Sequence, residues 1–383
     1  MAAPGGGSSV VAQPTPDTID VARIERELLA LLHAPENLSP DGQQAARTHV
    51  VNLVAVATAE AHRERILATL DRLSDHHPSR AIIATVDPTR PAGRPEARVQ
   101  VHCRPLGTTG MRICVEQIVL ESSAGGARQL PSIVLGLLLA DLPVVVWWPG
   151  EPALRDPLLY DLLEPAYRLI ADSAEFIHLE RSLTALSTLR RRPGLAIDLV
   201  DLTWQRLTPW RDLIAQFWDD RRGSTSLRQI ERIEIDLCRP PGGRSQRCEA
   251  LLIVGWLVSR LDWRPTGFTR LPDGYEMRAK RRGGDVTFRL RISAGARAGI
   301  NAIRIQTRGR RGASVFSLQA QEASVGEIRV ALAGQSEIVR QTRLESLNEA
   351  ELLASAIDTL RGEIVFEDAL EEVAAFLALS SGR

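Results

Sequence analysis

The sequence predicts an α/β protein. An N-terminal Rossmann-like domain, with a mainly parallel sheet and helices on both faces, precedes an α+β domain with antiparallel strands and C-terminal helices. The length of 383 residues suits two domains of about 100–200 residues each. Between residues 44 and 193, short apolar runs alternate with amphipathic stretches, which is typical of parallel strands connected by helices. Residues 275–332 alternate between polar and apolar, with Arg and Gly at the turns, which favours antiparallel strands.

Two segments precede the Rossmann-like domain. Residues 1–16 are small, uncharged and rich in Gly and Pro, and this composition predicts a disordered tail. Residues 17–43 are predicted to form a helix and a linker. Either Asp17 or Thr18 would cap the helix, because both residue types accept a hydrogen bond from the first helical turn.

Residues 44–193 are predicted to form the Rossmann-like domain. Its strands are assigned to apolar or alternating runs at 50–57, 79–86, 97–103, 112–121, 143–148 and 169–171. Its helices are assigned to the stretches 59–75, 130–140 and 183–189. The turn after the first strand reads TAEAHRE and contains no glycine, so a pyrophosphate could not approach the helix N-terminus as dinucleotide sites require. We therefore expect this scaffold without its usual nucleotide.

Residues 194–345 are predicted to form the α+β domain, and residues 346–383 the acidic C-terminal helices. A single Trp-rich helix is expected over 203–219. A strand, a helix, the antiparallel strands and the last two helices follow, at 230–237, 248–261, 275–332, 348–360 and 366–379.

The charge is balanced overall, with 47 basic and 47 acidic residues, which argues against binding to nucleic acid or to a membrane surface. Two local biases remain. Residues 221–282 contain 14 basic and 7 acidic side chains, and residues 345–383 contain 9 acidic and 2 basic ones. These segments either attract each other within one fold or form complementary patches for a partner or for self-assembly.

No signal peptide or membrane-spanning stretch is visible in the sequence. The most apolar segment, residues 133–149, is interrupted by Asp141 and Pro143 and is too short to cross a bilayer. We therefore expect a cytoplasmic protein.

The sequence lacks the common catalytic and cofactor motifs GxGxxG, GxxxxGK[ST], HExxH, GxSxG and CxxC. The neighbouring His76 and His77 point in different directions, which suits a polar helix end better than a metal site. The sequence therefore predicts no catalytic residues, no cofactor and no metal.

Two clusters rich in Trp are candidate partner-binding sites. The first contains Trp147, Trp148, Pro149 and Glu151, at the C-terminal end of a predicted strand, where open α/β sheets bind ligands. Because consecutive residues of a strand point to opposite faces, one Trp can pack in the core while the other faces the crevice.

The second cluster contains Trp204, Arg206, Trp210 and Arg211, with Thr208 as the expected cap of a helix. Trp and Arg contribute much of the binding energy at protein interfaces. Large Trp side chains also fill cores, so each cluster either anchors a partner or packs inside the fold.

Cys103 and Cys114 lie at equal distances from the midpoint of the predicted hairpin, near residues 108–109. They should face each other, with Cα atoms roughly 4.5 Å apart, close enough for a disulfide. The simpler interpretation is two buried thiols that pack as small apolar side chains. The alternative is a redox switch.

Several stretches resemble the OpcA family of glucose-6-phosphate dehydrogenase assembly proteins, found in cyanobacteria and actinobacteria. They lie between about residues 47 and 264 and include VNLVAVA (51–57), HHPSRAI (76–82), ICVEQIVLE (113–121), LPSIVLGLLLADLPVVVWWPGEP (130–152), IADSAEF (170–176) and DLTWQRLTPWRDLIAQFWD (201–219). The resemblance implies a non-catalytic protein that binds glucose-6-phosphate dehydrogenase, promotes its active oligomer and raises its activity.

The resemblance also implies regulation by thioredoxin, because cyanobacterial relatives carry cysteines for it in their C-terminal region. This sequence has no Cys after Cys248, which removes that mechanism or moves it to other cysteines. The alternative function is an enzyme or binding protein for a sugar phosphate or nucleotide. It would use the sheet edge near Trp148 together with His76, His77 and Arg80.

Overall fold

The computed structural model of this chain describes residues 8–11, 19–37, 46–47, 49–73, 77–105, 112–189, 191–219, 226–241, 247–295, 298–310, 312–322, 324–345, 347–359 and 363–380. The chain divides into two compact units. The first unit comprises Met1–Glu175, Arg190–Val200 and Glu349–Gly362. The second unit comprises Phe176–Leu189, Asp201–Asn348 and Glu363–Arg383. This division differs from the consecutive domains expected at 44–193, 194–345 and 346–383, because a sequence pattern does not show which distant elements pack together.

The first unit is built on a nine-stranded sheet. Its strands are β1 (Ser8–Val11), β2 (Ala46–Arg47), β3 (Val51–Ala57), β4 (Ser79–Asp87), β5 (Glu96–Pro105), β6 (Arg112–Ser123), β7 (Val144–Trp148), β8 (Arg168–Ala171) and β9 (Asp198–Asp201). They lie in the order β1-β5-β6-β4-β3-β7-β8-β9, with β2 beside β6. Strands β6, β4, β3, β7 and β8 are parallel to their neighbours in this series. The order reverses between β3 and β7, as in a Rossmann fold, so the expected fold class is confirmed.

Most helices of the chain overlap the expected positions, but the helix at Pro157–Leu163 was not predicted from the sequence. They are α1 (Val21–Leu32), α2 (Glu60–Leu73), α3 (Leu130–Leu137), α4 (Pro157–Leu163), α5 (Leu179–Leu189), α6 (Leu202–Arg206), α7 (Thr208–Gln216), α8 (Arg247–Arg260), α9 (Glu349–Asp358) and α10 (Ile364–Ser380). The cap of α1 is Asp20, whose Oδ1 accepts a hydrogen bond from the Ala22 amide at 3.0 Å. Asp17 and Thr18, the expected caps, lie outside the described residues.

The N-terminal tail contains one ordered segment that the sequence did not predict. Ser8–Val11 form β1, which pairs antiparallel with β5 and places Val10 opposite Val101. The expectation of a disordered tail is therefore wrong at these positions. An edge strand such as β5 has free backbone groups, and a segment as small as SSVV can pair with them.

The Trp-rich segment forms two helices, whereas the sequence predicted one. Helix α6 ends at Arg206, and α7 begins at Thr208 with Pro209 in its first turn. Proline has no amide hydrogen and cannot continue the hydrogen bonding of a preceding helix. Thr208 is also not the cap. Its hydroxyl accepts a hydrogen bond from Nη2 of Arg211 at 3.0 Å.

The second unit contains an eight-stranded sheet. Its strands are β10 (Ile230–Arg239), β11 (Arg264–Leu271), β12 (Gly274–Arg281), β13 (Gly284–Ala294), β14 (Gly299–Gly309), β15 (Gly312–Glu322), β16 (Val325–Ala331) and β17 (Ile338–Arg343). They lie in the order β11-β12-β13-β10-β14-β15-β16-β17, and only β10 and β13 are parallel neighbours.

One face of this second sheet is apolar and the other is charged. On β13, Val286, Phe288 and Leu290 are buried, while the residues between them are half-buried. Helix α10 packs against α8, α5 and β11. The two helices approach each other closely at Gly255 of α8. A Cβ atom at this position would lie only 2.2 Å from the carbonyl oxygen of Ala369 on α10. Only glycine allows the two helices to lie this near.

The predicted hairpin forms with the expected register. Cys103 lies directly opposite Cys114, with their Cα atoms 4.1 Å apart, and the two sulfurs form a disulfide. The simpler interpretation of two separate thiols is therefore wrong for this structure. Strand pairing holds both residues on the same face, which brings their side chains within bonding distance.

No helix in the described parts of the chain is both long and apolar enough to cross a membrane.

Arg168 holds α9 in the first unit. Its side chain is fully buried, and Nη1 donates hydrogen bonds to the carbonyl oxygens of Ala356 at 2.7 Å and Ile357 at 3.1 Å. Nη2 donates to the carbonyl oxygen of Thr359 and to Oδ2 of Asp198. One guanidinium therefore satisfies the last carbonyl groups of a helix that comes from a distant part of the sequence.

We expect Arg168→Met to lower the free energy of unfolding by ~3 kcal/mol or more, because it leaves buried carbonyl oxygens and a carboxylate without their donor. Urea denaturation measures the loss, and hydrogen exchange of residues 349–358 should report release of α9. The matched control is Arg308→Met, which removes an exposed ion pair with Glu231 and should cost under ~1 kcal/mol. Equal losses for the two variants would contradict this role of Arg168.

Candidate functional site

The first candidate site lies where the parallel sheet reverses its strand order. Open α/β sheets bind ligands at the carboxyl ends of the two strands on either side of this point. Here those strands are β3 and β7, and Ala55 pairs with Trp147. The segment Trp148-Pro149-Gly150 therefore leaves the sheet beside the turn that connects β3 to α2.

A histidine fills the space above this strand end. The ring of His62, in the first turns of α2, lies so close to Gly150 that an added Cβ atom would be 2.5 Å from its Cε1. Nδ1 of His62 lies 3.3 Å from the hydroxyl of Thr58. Glu60 stands in the first turn of α2, where a dinucleotide would need room for its negatively charged pyrophosphate. His62 and Glu60 therefore lie at the strand end where a Rossmann fold binds the phosphates of its nucleotide.

Arg65 on α2 forms a cluster of ion pairs near the same carboxyl ends of the strands. Its Nε lies 2.7 Å from each carboxylate oxygen of Glu349, and Nη2 donates to Asp172 at 2.9 Å. Its Nη1 lies 3.1 Å from Oε1 of Glu175. Burial alone would lower the pKa of Arg65, but the three carboxylates outweigh it and hold that pKa above its usual value. A cation neutralised in this way offers little attraction to a phosphate group.

No group of three or more His, Cys, Asp or Glu residues within the described ranges is placed to hold a metal ion.

Both Trp residues of the first cluster are buried. Trp147 is fully covered and Trp148 is 1% exposed, so the expectation that one of them faces the crevice is wrong. The reason is that β7 lies in the middle of the sheet and all five of its residues are covered. Pro149 is also buried, and Glu151 is half-buried with contacts of its own.

The second cluster is organised around Trp204. The guanidinium of Arg211 lies 3.5 Å above its ring, and Nη1 of Arg211 donates a hydrogen bond to the Trp204 carbonyl oxygen. The indole N–H donates to a carboxylate oxygen of Glu363, and the ring packs 5.6 Å from that of Phe366. The stack of cation and aromatic ring is stabilising when it is shielded from water.

Arg211 remains a cation in this setting. Burial lowers the pKa of Arg211 to about 10, although the carboxylates of Glu363 and Asp212 favour the charged form. At neutral pH the side chain is therefore protonated and stacked on the indole. Arg206 is half-buried, and its Nη1 lies 3.4 Å from the hydroxyl of Thr203.

The burial of Trp204 and Trp210 favours packing inside the fold for these two residues. Both side chains are less than a tenth exposed, so they pack in the core of the second unit. Sequence reasoning did not find Glu363 and Phe366, because nothing in the local pattern connects them to a Trp about 160 positions earlier. It also missed His62 and Arg65, although both lie in the glycine-free TAEAHRE turn and the helix that follows it.

The residues of the alternative phosphate site do not come together. Arg80 is buried at the amino end of β4, at the opposite end of the sheet from Trp148. It forms ion pairs with Glu25 and Glu116. His77 instead lies 3.4 Å from a carboxylate oxygen of Asp358, and His76 lies outside the described residues.

Two family models match the chain. The first is described as the N-terminal domain of the glucose-6-phosphate dehydrogenase subunit, and it matches residues 70–189. The second is described as the C-terminal domain of the same subunit, and it matches residues 197–370. Together they cover most of the chain.

Curated relatives carry the name OpcA and are assigned by that name to the OxPP cycle. The Synechocystis protein is 28% identical over 258 residues, which are 62% of this chain and 51% of that protein. The Nostoc punctiforme protein is 30% identical over 184 residues, which are 48% of this chain and 38% of that protein. The chain thus spans about half or less of the length of these relatives.

Among solved structures, the chain is similar to KijD10, a 3-ketoreductase from Actinomadura kijaniata. The sequence identity is 14% and the TM-score is 0.48, over 87% of this chain and 97% of that one. A likeness at this level carries no argument about activity.

We expect Trp204→Ala to lower the free energy of unfolding by ~3–5 kcal/mol, the cost of removing a large aromatic side chain from a packed core. The matched control is Trp256→Ala on α8, because Trp256 is only half-buried and should cost less than half as much. Urea denaturation of both variants makes the comparison. A near-normal stability of Trp204→Ala would return this residue to the role of an exposed partner anchor.

Proposed function

We propose a function from the premise that this chain belongs to the OpcA family of glucose-6-phosphate dehydrogenase assembly proteins. It acts as a non-catalytic assembly factor in the cytoplasm. It binds glucose-6-phosphate dehydrogenase, promotes the active oligomer of that enzyme and raises its activity in the oxidative pentose phosphate pathway. The observation that carries this proposal is the match to both family models over residues 70–189 and 197–370.

The geometry of the parallel sheet supports a role without catalysis. His62 covers the strand end at Gly150, and Arg65 is neutralised by carboxylates of the same unit. Side chains of the first unit therefore lie at the strand ends where Rossmann proteins hold a nucleotide. On this proposal, the protein functions by contact of its surface with another protein.

Activation without catalysis follows from linked equilibria. A protein that binds the active oligomer more tightly than the inactive form shifts the equilibrium by its difference in affinity. A hundredfold gain in substrate affinity would need roughly 2.7 kcal/mol of coupling free energy. A few well-packed interface residues can supply that amount.

The contribution of the two Trp clusters to binding is indirect. Five residues of the clusters are buried: Trp147, Trp148, Pro149, Trp204 and Trp210. On this proposal, their packing supports the conformation of the surface around them. Glu151, Arg206 and Arg211 are half-buried, so part of each side chain remains available to the dehydrogenase. We propose that these three residues contact the partner.

The second candidate function is an enzyme or binding protein for a sugar phosphate or nucleotide. The expected residues for it are separated, because Arg80 is buried in ion pairs at the far end of the sheet. A calorimetric titration of the chain alone with NADP⁺ and with glucose 6-phosphate tests it directly. Binding of either compound in the micromolar range would favour this second function.

We expect the chain alone to be inactive on glucose 6-phosphate and to lower the apparent KM of the cognate dehydrogenase by about tenfold, which corresponds to ~1.4 kcal/mol of coupling. The measurement is the substrate saturation curve of the dehydrogenase with and without saturating chain. An unrelated protein at the same concentration is the control. An unchanged curve and an unchanged maximal rate would refute activation.

The disulfide of Cys103 and Cys114 is the candidate site for control by thioredoxin. Both half-cystines are buried, and thiol–disulfide exchange requires access to a sulfur atom. We expect equal activation of the dehydrogenase by the oxidised chain, by the chain reduced with thioredoxin and by the Cys103→Ser/Cys114→Ser variant. Mass spectrometry of the peptides verifies each state. The switch would be established instead if activation by the unaltered chain changed with its redox state and activation by the variant did not.

A further inference from the structure

The second sheet ends in an open strand. Strand β11 (Arg264–Leu271) pairs with β12 on one side and packs against α10, and the described strands place none on its other side. The outer edge of such a strand presents backbone N–H and C=O groups that can accept another strand. Pro265 and a β-bulge interrupt only its beginning, and the pairing is regular from Gly267 to Leu271.

A groove runs along this open edge. It has a volume of about 570 Å³ and is lined by five consecutive residues of β11, namely residues 266–270. The end of α10 contributes Leu379 and Ser380, and the neighbouring strands contribute Arg278 and Asp285. The groove thus lies between an edge strand and a helix, which is the arrangement that binds extended peptides by strand addition.

The two sides of the groove have different chemistry. On the side of the helices, Phe268 pairs with Met277 in the sheet, and Leu379 is 42% exposed. On the opposite side, Gly267 pairs with Arg278, which lines the groove, and Arg264 pairs with Lys280 just beyond it at the start of the strand. One side is therefore apolar and the other is basic.

The basic side carries three exposed cations, with Asp285 opposite Lys280 in the sheet and Glu276 near Arg278. Arg264 and Lys280 are exposed, and no ion pair to either is found within the described residues. Arg278 is also exposed, with its Nε 3.8 Å from Glu276. The only acidic residue that lines the groove, among those the structure describes, is Asp285. An acidic partner fits this side better than a basic one.

Arg270 lines the end of the groove and forms contacts with two helices. Its guanidinium pairs with the carboxylate of Glu180, and Nη2 lies 3.4 Å from the hydroxyl of Ser380. Glu180 also accepts a hydrogen bond from the hydroxyl of Tyr275 at 2.9 Å, and Nη1 of Arg247 donates a hydrogen bond to the Tyr275 hydroxyl at 2.8 Å. This network connects the end of β11 to α5 and to the end of α10.

We propose that this groove binds an extended segment of the dehydrogenase, which adds as a strand beside β11. Because side chains alternate along a strand, the segment would direct acidic residues towards Arg264 and Arg278 and apolar residues towards Phe268 and Leu379. The inference rests on the proposed function and names the surface and the chemistry through which it operates.

The opposite edge of the same sheet provides an internal comparison. Strand β17 (Ile338–Arg343) also has an open edge, but five of its six residues are exposed. It offers backbone groups without the two-sided lining seen at β11. Its Arg340 and Arg343 carry the same charge as the arginines of the groove.

Hydrogen exchange of the full chain with the cognate dehydrogenase tests the proposal. We expect backbone amides of residues 264–271 to exchange more slowly in the complex, while those of residues 338–343 stay unchanged. The variant Arg264→Glu/Arg278→Glu should bind at least about tenfold more weakly. The matched control Arg340→Glu/Arg343→Glu makes the same charge change at the other edge and should bind normally.

The possible outcomes separate this inference from the proposed function. Failure of the unaltered chain to form any complex would overturn the proposed function and this inference with it. A complex in which β11 amides remain unprotected, or in which both double variants bind equally, would overturn the inference alone. Protection of β11 in the chain without dehydrogenase at high concentration would assign the groove to a second copy and would also overturn it.

Discussion

Ion pairs and hydrogen bonds of two arginines, the half-buried Arg65 and the fully buried Arg168, connect distant segments of the first unit. Arg65 joins α2 to Asp172, which follows β8, and to Glu349 at the start of α9. Arg168 holds the other end of the same helix by its last carbonyl groups. The guanidinium groups of Arg65 and Arg168 thus hold α9 (Glu349–Asp358) against the parallel sheet, whose strands come from the first part of the sequence. Such a cluster is stable only when complete, because a buried charge that loses its partner is costly.

The same charges determine what this sheet can do. A Rossmann sheet offers ligands the carboxyl ends of its central strands, and here that place holds Arg65, its carboxylates and the ring of His62. The Trp residues of the WWPGEP and TWQRLTPWR stretches pack inside the fold, while Glu151, Arg206 and Arg211 of the same stretches keep partly exposed side chains.

The sequence predicted the local structure well and the distant contacts poorly. Apolar runs located the parallel strands, and the symmetry of the hairpin placed Cys103 opposite Cys114. The expected exposure of one Trp at 147–148 failed because alternation along a strand does not show that both faces of the sheet are covered. The pairing of Trp204 with Glu363 left no local signal, because that contact depends on how two distant helices pack.

The central claim is that this chain works by binding glucose-6-phosphate dehydrogenase. The most direct test is the molar mass of a stoichiometric mixture of the two proteins, measured by light scattering during size-exclusion chromatography at micromolar concentration. The account predicts one species heavier than either protein alone, containing both chains. Two separate peaks, each with the mass of its own protein, would contradict it.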